Sequence, residues 1–455
     1  TLSRGGVTAT VRRVVVQGGD PDAWSGGTPA SGWLIISGAS GTFTAGAATS
    51  SGGGACTLSG AQSQIQLAAG GRWELKLYNF YGGETKRIYG ADGVNDLIEI
   101  HGAATFSGLT TLTIQPLENE FTASRYAIIT NLGARTGGAA NFALAMGVMT
   151  NSRYGFALND SDPNAIWLDV SGANKTLVWR GGAGSSFWNV RGTTNNFLDG
   201  ATPETFWQAD HVRFDQTAYS LMSTGRYAVT ISEPLAPATI TVDSGRSYTF
   251  TNTLAGARIT GGATLIKLGT APLFMGVAND FTGPVLVSNG IFVLTHSSGV
   301  GVSNSGTYIA TGATLDVYGN PVGHIGYEEV FASGDGVDGR GAIVNSRASQ
   351  IQALRRLTLV GDTTFGGLQR WDVRNTNTVD GWLSTGGNPY GIVKTGTNQV
   401  TLVNTWVDPA LGHVEIRNGL FGIEAGTTGL GDPSKTATVF SNAWFWLHNV
   451  ANPLA

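Results

Sequence analysis

The chain has 455 residues, of which only 13% are charged and 67 are glycine, with a net charge of −4 at pH 7. That balance leaves no basic field to draw nucleic acid, and no apolar run approaches the length of a membrane-spanning helix. The single cysteine, Cys56, excludes an intrachain disulfide; its strand-like setting, Gly54-Ala-Cys-Thr-Leu, suits a buried inert thiol better than a reactive one.

In chain order, a β-branched strand opens the sequence over Val7–Gln17 and is stopped by Gly18-Gly-Asp-Pro-Asp. A terminal strand of this kind either forms the first rung of a stack or pairs with the open edge of another molecule. Thr1 in place of methionine is what a processed chain would show. Short alternating runs follow at Trp33-Leu-Ile-Ile, Ile65-Gln-Leu, Trp73-Glu-Leu-Lys-Leu-Tyr, Leu97-Ile-Glu-Ile-His and Ala165-Ile-Trp-Leu-Asp-Val, each ended by turn residues. Helical periodicity is absent. The spacing of about ten residues between apolar triplets predicts strands of three to five residues, two or three to a coil.

The pattern divides the chain into a β-solenoid region over 1–170, a Trp-rich excursion over 171–226, and a second solenoid over 227–455. The second contains a repeat. Gly262-Ala-Thr-Leu-Ile-Lys-Leu-Gly returns as Gly391-Ile-Val-Lys-Thr-Gly, so that Lys267 falls on Lys394, Gly269 on Gly396 and Asn289-Gly290 on Asn418-Gly419. The two modules cover about 262–320 and 389–449. Glycine-punctuated units of alternating strands cannot bury an apolar face alone and therefore stack, although an antiparallel sandwich would also give short strands at this spacing. Asn-Gly recurs at one fixed repeat position instead of joining successive strands as hairpins, which favours the parallel stack.

Leu265-Ile-Lys-Leu-Gly, Asn279-Asp-Phe-Thr-Gly and Asn289-Gly-Ile-Phe-Val-Leu, with Leu177-Val-Trp-Arg-Gly-Gly and Trp188-Asn before them and Asp408-Pro-Ala-Leu-Gly after, resemble the autotransporter-associated β-strand repeat and its Trp-rich leader. The likeness spans roughly residues 160–455. It implies a right-handed parallel β-helix, export, and a place at the surface of a Gram-negative cell or beyond it. It brings no catalytic residues, and the β-barrel translocator that accompanies such repeats is not part of this sequence.

Candidate chemistry is sparse. Asp210, His211, Arg213 and Asp215 form the densest titratable group; in a strand, His211, Arg213 and Asp215 share one face, which reads better as a solvated outer surface with modest ion pairs than as a catalytic cluster. Asp335-Gly-Val-Asp-Gly-Arg-Gly suits a turn better than a calcium loop, and the six histidines lack metal-ligand spacing. No cofactor is expected. Trp188, Trp207 and Trp371 are candidates for stacking on sugar rings, with core filling as the competing role. Trp444, Phe445 and Trp446 alternate sides, so at least one ring faces out. The sequence therefore predicts a non-enzymatic extracellular scaffold or adhesin-like β-helix. It would associate end to end through Val7–Gln17 and Trp444–Leu447 and meet glycans or other surface proteins. The alternative is a β-helix that binds or degrades polysaccharide.

Overall fold

Alternation of this kind arises when every second side chain must enter a closed interior, and the computed structural model accordingly has 48% of residues in strands and 4% in helices. It describes residues 119–450 apart from 122–123, 132–133, 182–184, 219–226, 303–305, 320–324, 326–327 and 376–380, together with backbone strands between Thr10 and Pro116. Parallel coils stack into a β-solenoid of about 9 turns. The chain divides into two compact units, Thr1–Asn174 and Lys175–Ala455.

In the first unit, Gly41–Ser50, Ser63–Tyr78, Thr110–Pro116 and Phe142–Ala145 pair in parallel. So do Leu34–Ser37, Ala55–Ser59, Leu97–Ile100 and Arg125–Asn131. Of the strand expected over Val7–Gln17, Thr10–Val11 and Val14–Val16 lie parallel to Gly41–Ser50. The rest of that stretch, like the Cys56 side chain, lies outside the described residues. Antiparallel pairing enters where Arg125–Asn131, Ala165–Ser171 and Gly155–Asn159 meet. Arg125 stands opposite Asp169 and donates to both carboxylate oxygens, at 2.6 and 3.2 Å, which holds that carboxyl below its ordinary range.

The second unit winds round three sides. On the first side Thr176–Trp179, His211–Phe214, Thr239–Val242, Thr264–Lys267, Val285–Val287 and Thr307–Ile309 stack in parallel. Glu329–Gly334, the first half of Arg356–Phe365, Trp382–Ser384 and Trp406–Val407 continue the same column. The second side runs from Phe187–Trp188 and Tyr227–Ile231 through to Ile392–Lys394, Val414–Ile416 and Ala437–Val439. The third carries Pro234–Leu235 on Arg258–Ile259 and, further along, Gln350–Leu354, Trp371–Arg374, Gln399–Val403, Gly419–Glu424 and Ala443–His448. One apolar core extends through these coils from Leu177 to Phe421.

The Trp-rich stretch expected as an excursion contributes to this stack. Thr176–Trp179 pairs in parallel with His211–Phe214, and Phe187–Trp188 with Tyr227–Ile231. What departs from the coil is the antiparallel hairpin Phe197–Asp199 with Thr202–Glu204. The physical reason is bulk: Trp179, Trp188, Phe197 and Phe206 are all buried and meet edge to face, filling the coil where regular aliphatic ladders have not yet begun.

The repeated motif builds a corner. Lys267 ends a strand of the first side, points inward with Leu265, and is fully buried. Its ammonium donates to the carbonyls of Gly269 and of Asn289 in the next coil, the latter at 3.1 Å. Lys394 ends a strand of the second side, equally buried, and donates to the carbonyls of Thr395, Gly396 and Asn418 at 2.6, 3.0 and 3.1 Å. Corner carbonyls turned inward have no ladder partner, and a buried ammonium supplies three donors at once. Gly290 and Gly419 follow with φ of 73° and 68°, and a Cβ on either would strike the carbonyl of the preceding corner.

Candidate functional site

The four-residue titratable group resolves into two separate roles. Val212 and Phe214 face the core, while His211 and Arg213 face out. Arg213 pairs with Asp243 at 2.9 Å and lies 3.4 Å from Asp215, and His211 Nδ1 is 2.9 Å from the Thr239 hydroxyl. These are partly solvated contacts. Asp210 is instead fully buried and accepts the backbone N–H groups of Lys175 and Trp207 at 2.9 and 3.0 Å, which makes it a corner pin. The Asp335–Gly341 segment is a turn, closed by Gly341 N–H on the Asp335 carbonyl and by Val337 N–H on the Thr314 hydroxyl. Among the described residues, no three His, Cys, Asp or Glu side chains gather as a metal site requires.

Two of the three tryptophans expected to meet sugars cannot do so. Trp188 and Trp371 have no exposed surface, and Trp371 Nε1 donates inward to the Gly366 carbonyl at 2.9 Å. Both occupy inward strand positions, so core filling is their role. Trp207 is half-buried, with the Arg191 guanidinium 4.5 Å from its ring centroid. The three do not converge, because Trp188 and Trp371 belong to coils far apart in the stack.

A different pair of rings faces outward. On the first side Val330, Leu357, Leu383 and Val407 enter the core, so their neighbours Glu329, Arg356, Trp382 and Trp406 form one outer column in direct register. Phe331, Thr358 and Ser384 form the column beside it. Glu329, Thr358, Trp382, Ser384 and Trp406 line a groove of about 510 Å³. Glu329 Oε1 accepts the Thr358 hydroxyl at 2.6 Å and lies 3.4 Å from Trp382 Nε1. The Arg356 guanidinium stands 4.7 Å from the Trp382 ring centroid. Trp406 is 40% exposed, and in the adjoining coils Tyr308 stacks flat on Phe331 with centroids 4.6 Å apart.

The backbone behind the groove is pinned. Asp408, two residues past Trp406, accepts the N–H groups of Thr385 and Gly387 on one oxygen, at 2.9 and 3.1 Å, and that of Ala410 on the other at 3.0 Å. Burial alone would raise this carboxyl; the three backbone donors outweigh it and hold the group below its ordinary value. The other dense charge cluster, on the third side, is closed on itself. Asp372 is fully buried beneath Arg370 and Arg374, at 2.9 and 2.7 Å, and Glu424 reaches Arg370 at 3.0 Å. Burial pushes Asp372 up despite both guanidiniums.

Sequence reasoning passed over Trp382, Trp406 and Glu329. Their outward phase is readable from Gly381-Trp-Leu-Ser and Trp406-Val-Asp, with Leu383 and Val407 as the inward residues. Their adjacency is not, since it depends on how many residues each coil takes. Set against family models, curated proteins and solved structures, the chain finds no match.

Proposed function

We propose that the chain is a rigid scaffold of adhesin-like character that works outside the cell, at the surface of a Gram-negative bacterium or beyond it, and performs no chemistry. The observation that supports this most is the second unit's single core, carried from Leu177 to Phe421 through parallel coils whose corners are closed by buried polar groups. Such a stack resists bending because each coil shares its backbone ladder with both neighbours. The autotransporter-like order of Lys267, Asn279 and Asn289 motifs supports the cellular setting. Association between copies through Val7–Gln17 and Trp444–Leu447 belongs to the same reading; Trp444 and Leu447 are 63% and 51% exposed.

Incubation with neutral and acidic polysaccharides tests the reading. The scaffold yields no new reducing ends and no unsaturated products, whereas turnover by the purified chain would replace it with the rival, a polysaccharide-degrading solenoid. Protease treatment of intact cells should remove the protein; protection until the cells are lysed would overturn the extracellular assignment.

A further inference from the structure

We infer that the outer groove between Trp382 and Trp406 is a binding site for a neutral, hexose-containing glycan. Three observations carry this beyond a scaffold role. The first is shape and surface. The groove holds about 510 Å³, within the range of small-ligand sites, and two indole rings one coil apart border it. Among the described residues those two rings do not stack on each other, which leaves a ring face for a third flat body. The C–H face of a pyranose suits an indole face in both polarity and size.

The second observation is charge. Glu329, which lines the groove, and Arg356 occupy successive positions of one column, an anion and a cation one coil apart. A uronate or sialate drawn to Arg356 would also meet the Glu329 carboxylate, and a quaternary ammonium drawn to Glu329 would also meet the Arg356 guanidinium, which stands 4.7 Å from the Trp382 ring centroid. A neutral polyol suffers neither repulsion. It also gains from both kinds of group, because sugar hydroxyls donate to carboxylates and accept from guanidinium N–H groups.

The third is preorganisation. The Thr358 hydroxyl, 2.6 Å from Glu329 Oε1, fixes the carboxylate, and Arg356 fixes the Trp382 ring plane. Asp408 anchors the backbone of Thr385 and Gly387 just past Ser384. A site whose groups already stand in place loses little freedom on binding. Tyr308 and Phe331, stacked on the same side of the solenoid, continue the aromatic surface along the axis, so a chain of sugars can run parallel to the stack.

Titration calorimetry and tryptophan fluorescence with gluco-, manno- and chito-oligosaccharides test the inference, with oligogalacturonate and choline as the charged comparisons. Binding of at least one neutral series is expected. Trp406→Ala should weaken it about tenfold, Trp382→Ala by at least as much, and Phe187→Ala, an exposed ring on the second side, should leave it unchanged. Trp406 is outward and partly exposed, so circular dichroism of its variant should match the parent and separate lost binding from lost folding. Failure of every neutral series at millimolar concentration, binding that neither groove variant alters, or preference for oligogalacturonate or choline would each overturn the inference.

Discussion

The Lys267 and Lys394 corners share a sequence and a local structure but occupy different places in the coil. Lys267 turns the chain from the first side to the second, Lys394 from the second to the third. Their partners shift together: Asn289-Gly290 leads into Ile291–Leu294 on the second side, and Asn418-Gly419 into Gly419–Glu424 on the third. Ile309 and Val439 obey the same displacement. The repeat therefore encodes a way of turning and satisfying inward carbonyls, and it carries no instruction about which side it serves. Any corner of a near-threefold coil presents the same backbone problem, so one solution fits several.

That equivalence can be broken most forcefully at the lysines. Lys394→Ala takes the ammonium from three half-buried corner carbonyls and opens a cavity, a loss of about 4 kcal/mol. Lys267→Ala orphans two and should lose somewhat less, about 3 kcal/mol. Urea titration followed by hydrogen exchange of the flanking strands reads both. If Lys267→Ala proved the more damaging, acceptor number would not be what sets the corner's strength. Next come Gly419→Ala and Gly290→Ala, each forcing a side chain into left-handed backbone and against a carbonyl, at about 2 kcal/mol. Equal losses at the two glycines would confirm that the corners are the same object, and a silent substitution at either would separate them.

The smallest effect is in pH dependence, and its sign distinguishes bases from acids. Burial lowers Lys394 to about 7 and Lys267 to about 8 from an ordinary 10.5. Between those values and 10.5 the unfolded chain binds more protons, so corner stability rises with pH, from about 7 at Lys394 and from about 8 at Lys267. The ammonium's carbonyl acceptors oppose the shift and keep the rise shallow. Glu328, raised to about 7 by burial and bonded to the Thr307 hydroxyl at 2.9 Å, has the opposite slope. Its contribution is complete below 4.5 and lost as pH climbs to about 7. Urea midpoints should therefore pass through a minimum near neutrality. Glu328→Gln should shrink the acid limb, to which buried Asp372 also contributes, and Lys394→Met should flatten the first part of the basic one.

Much of this was legible in the sequence. Period-two alternation, glycine at corners and the recurrence of Lys394-Thr-Gly after Lys267-Leu-Gly are local facts that survive folding. What failed were inferences needing the length of a coil. Trp188 and Trp371 were candidates because an indole face suits a sugar ring, yet both fall on the inward phase; Trp382 and Trp406 fall on the outward phase and are made neighbours by a coil closure that the sequence does not state. Asp210 sits at an inward position where an acid looks misplaced, until the amides of Lys175 and Trp207 come round to meet it. The antiparallel pairing of Arg125–Asn131 with Ala165–Ser171 was hidden for a similar reason, since alternation is identical in parallel and antiparallel strands.

Register-dependent disulfide trapping tests the stacked coil most directly. Val393 and Glu415 point outward and are paired across one coil step, and Thr438 follows Glu415 one step further. With Cys56 replaced by Ser, Val393→Cys with Glu415→Cys should oxidise readily, because neighbouring strands hold Cα atoms about 4.8 Å apart, within disulfide reach. Val393→Cys with Thr438→Cys should stay reduced at twice that spacing. Rapid closure of the second pair, or none in the first, would contradict a solenoid in which these residues lie on successive turns of one side.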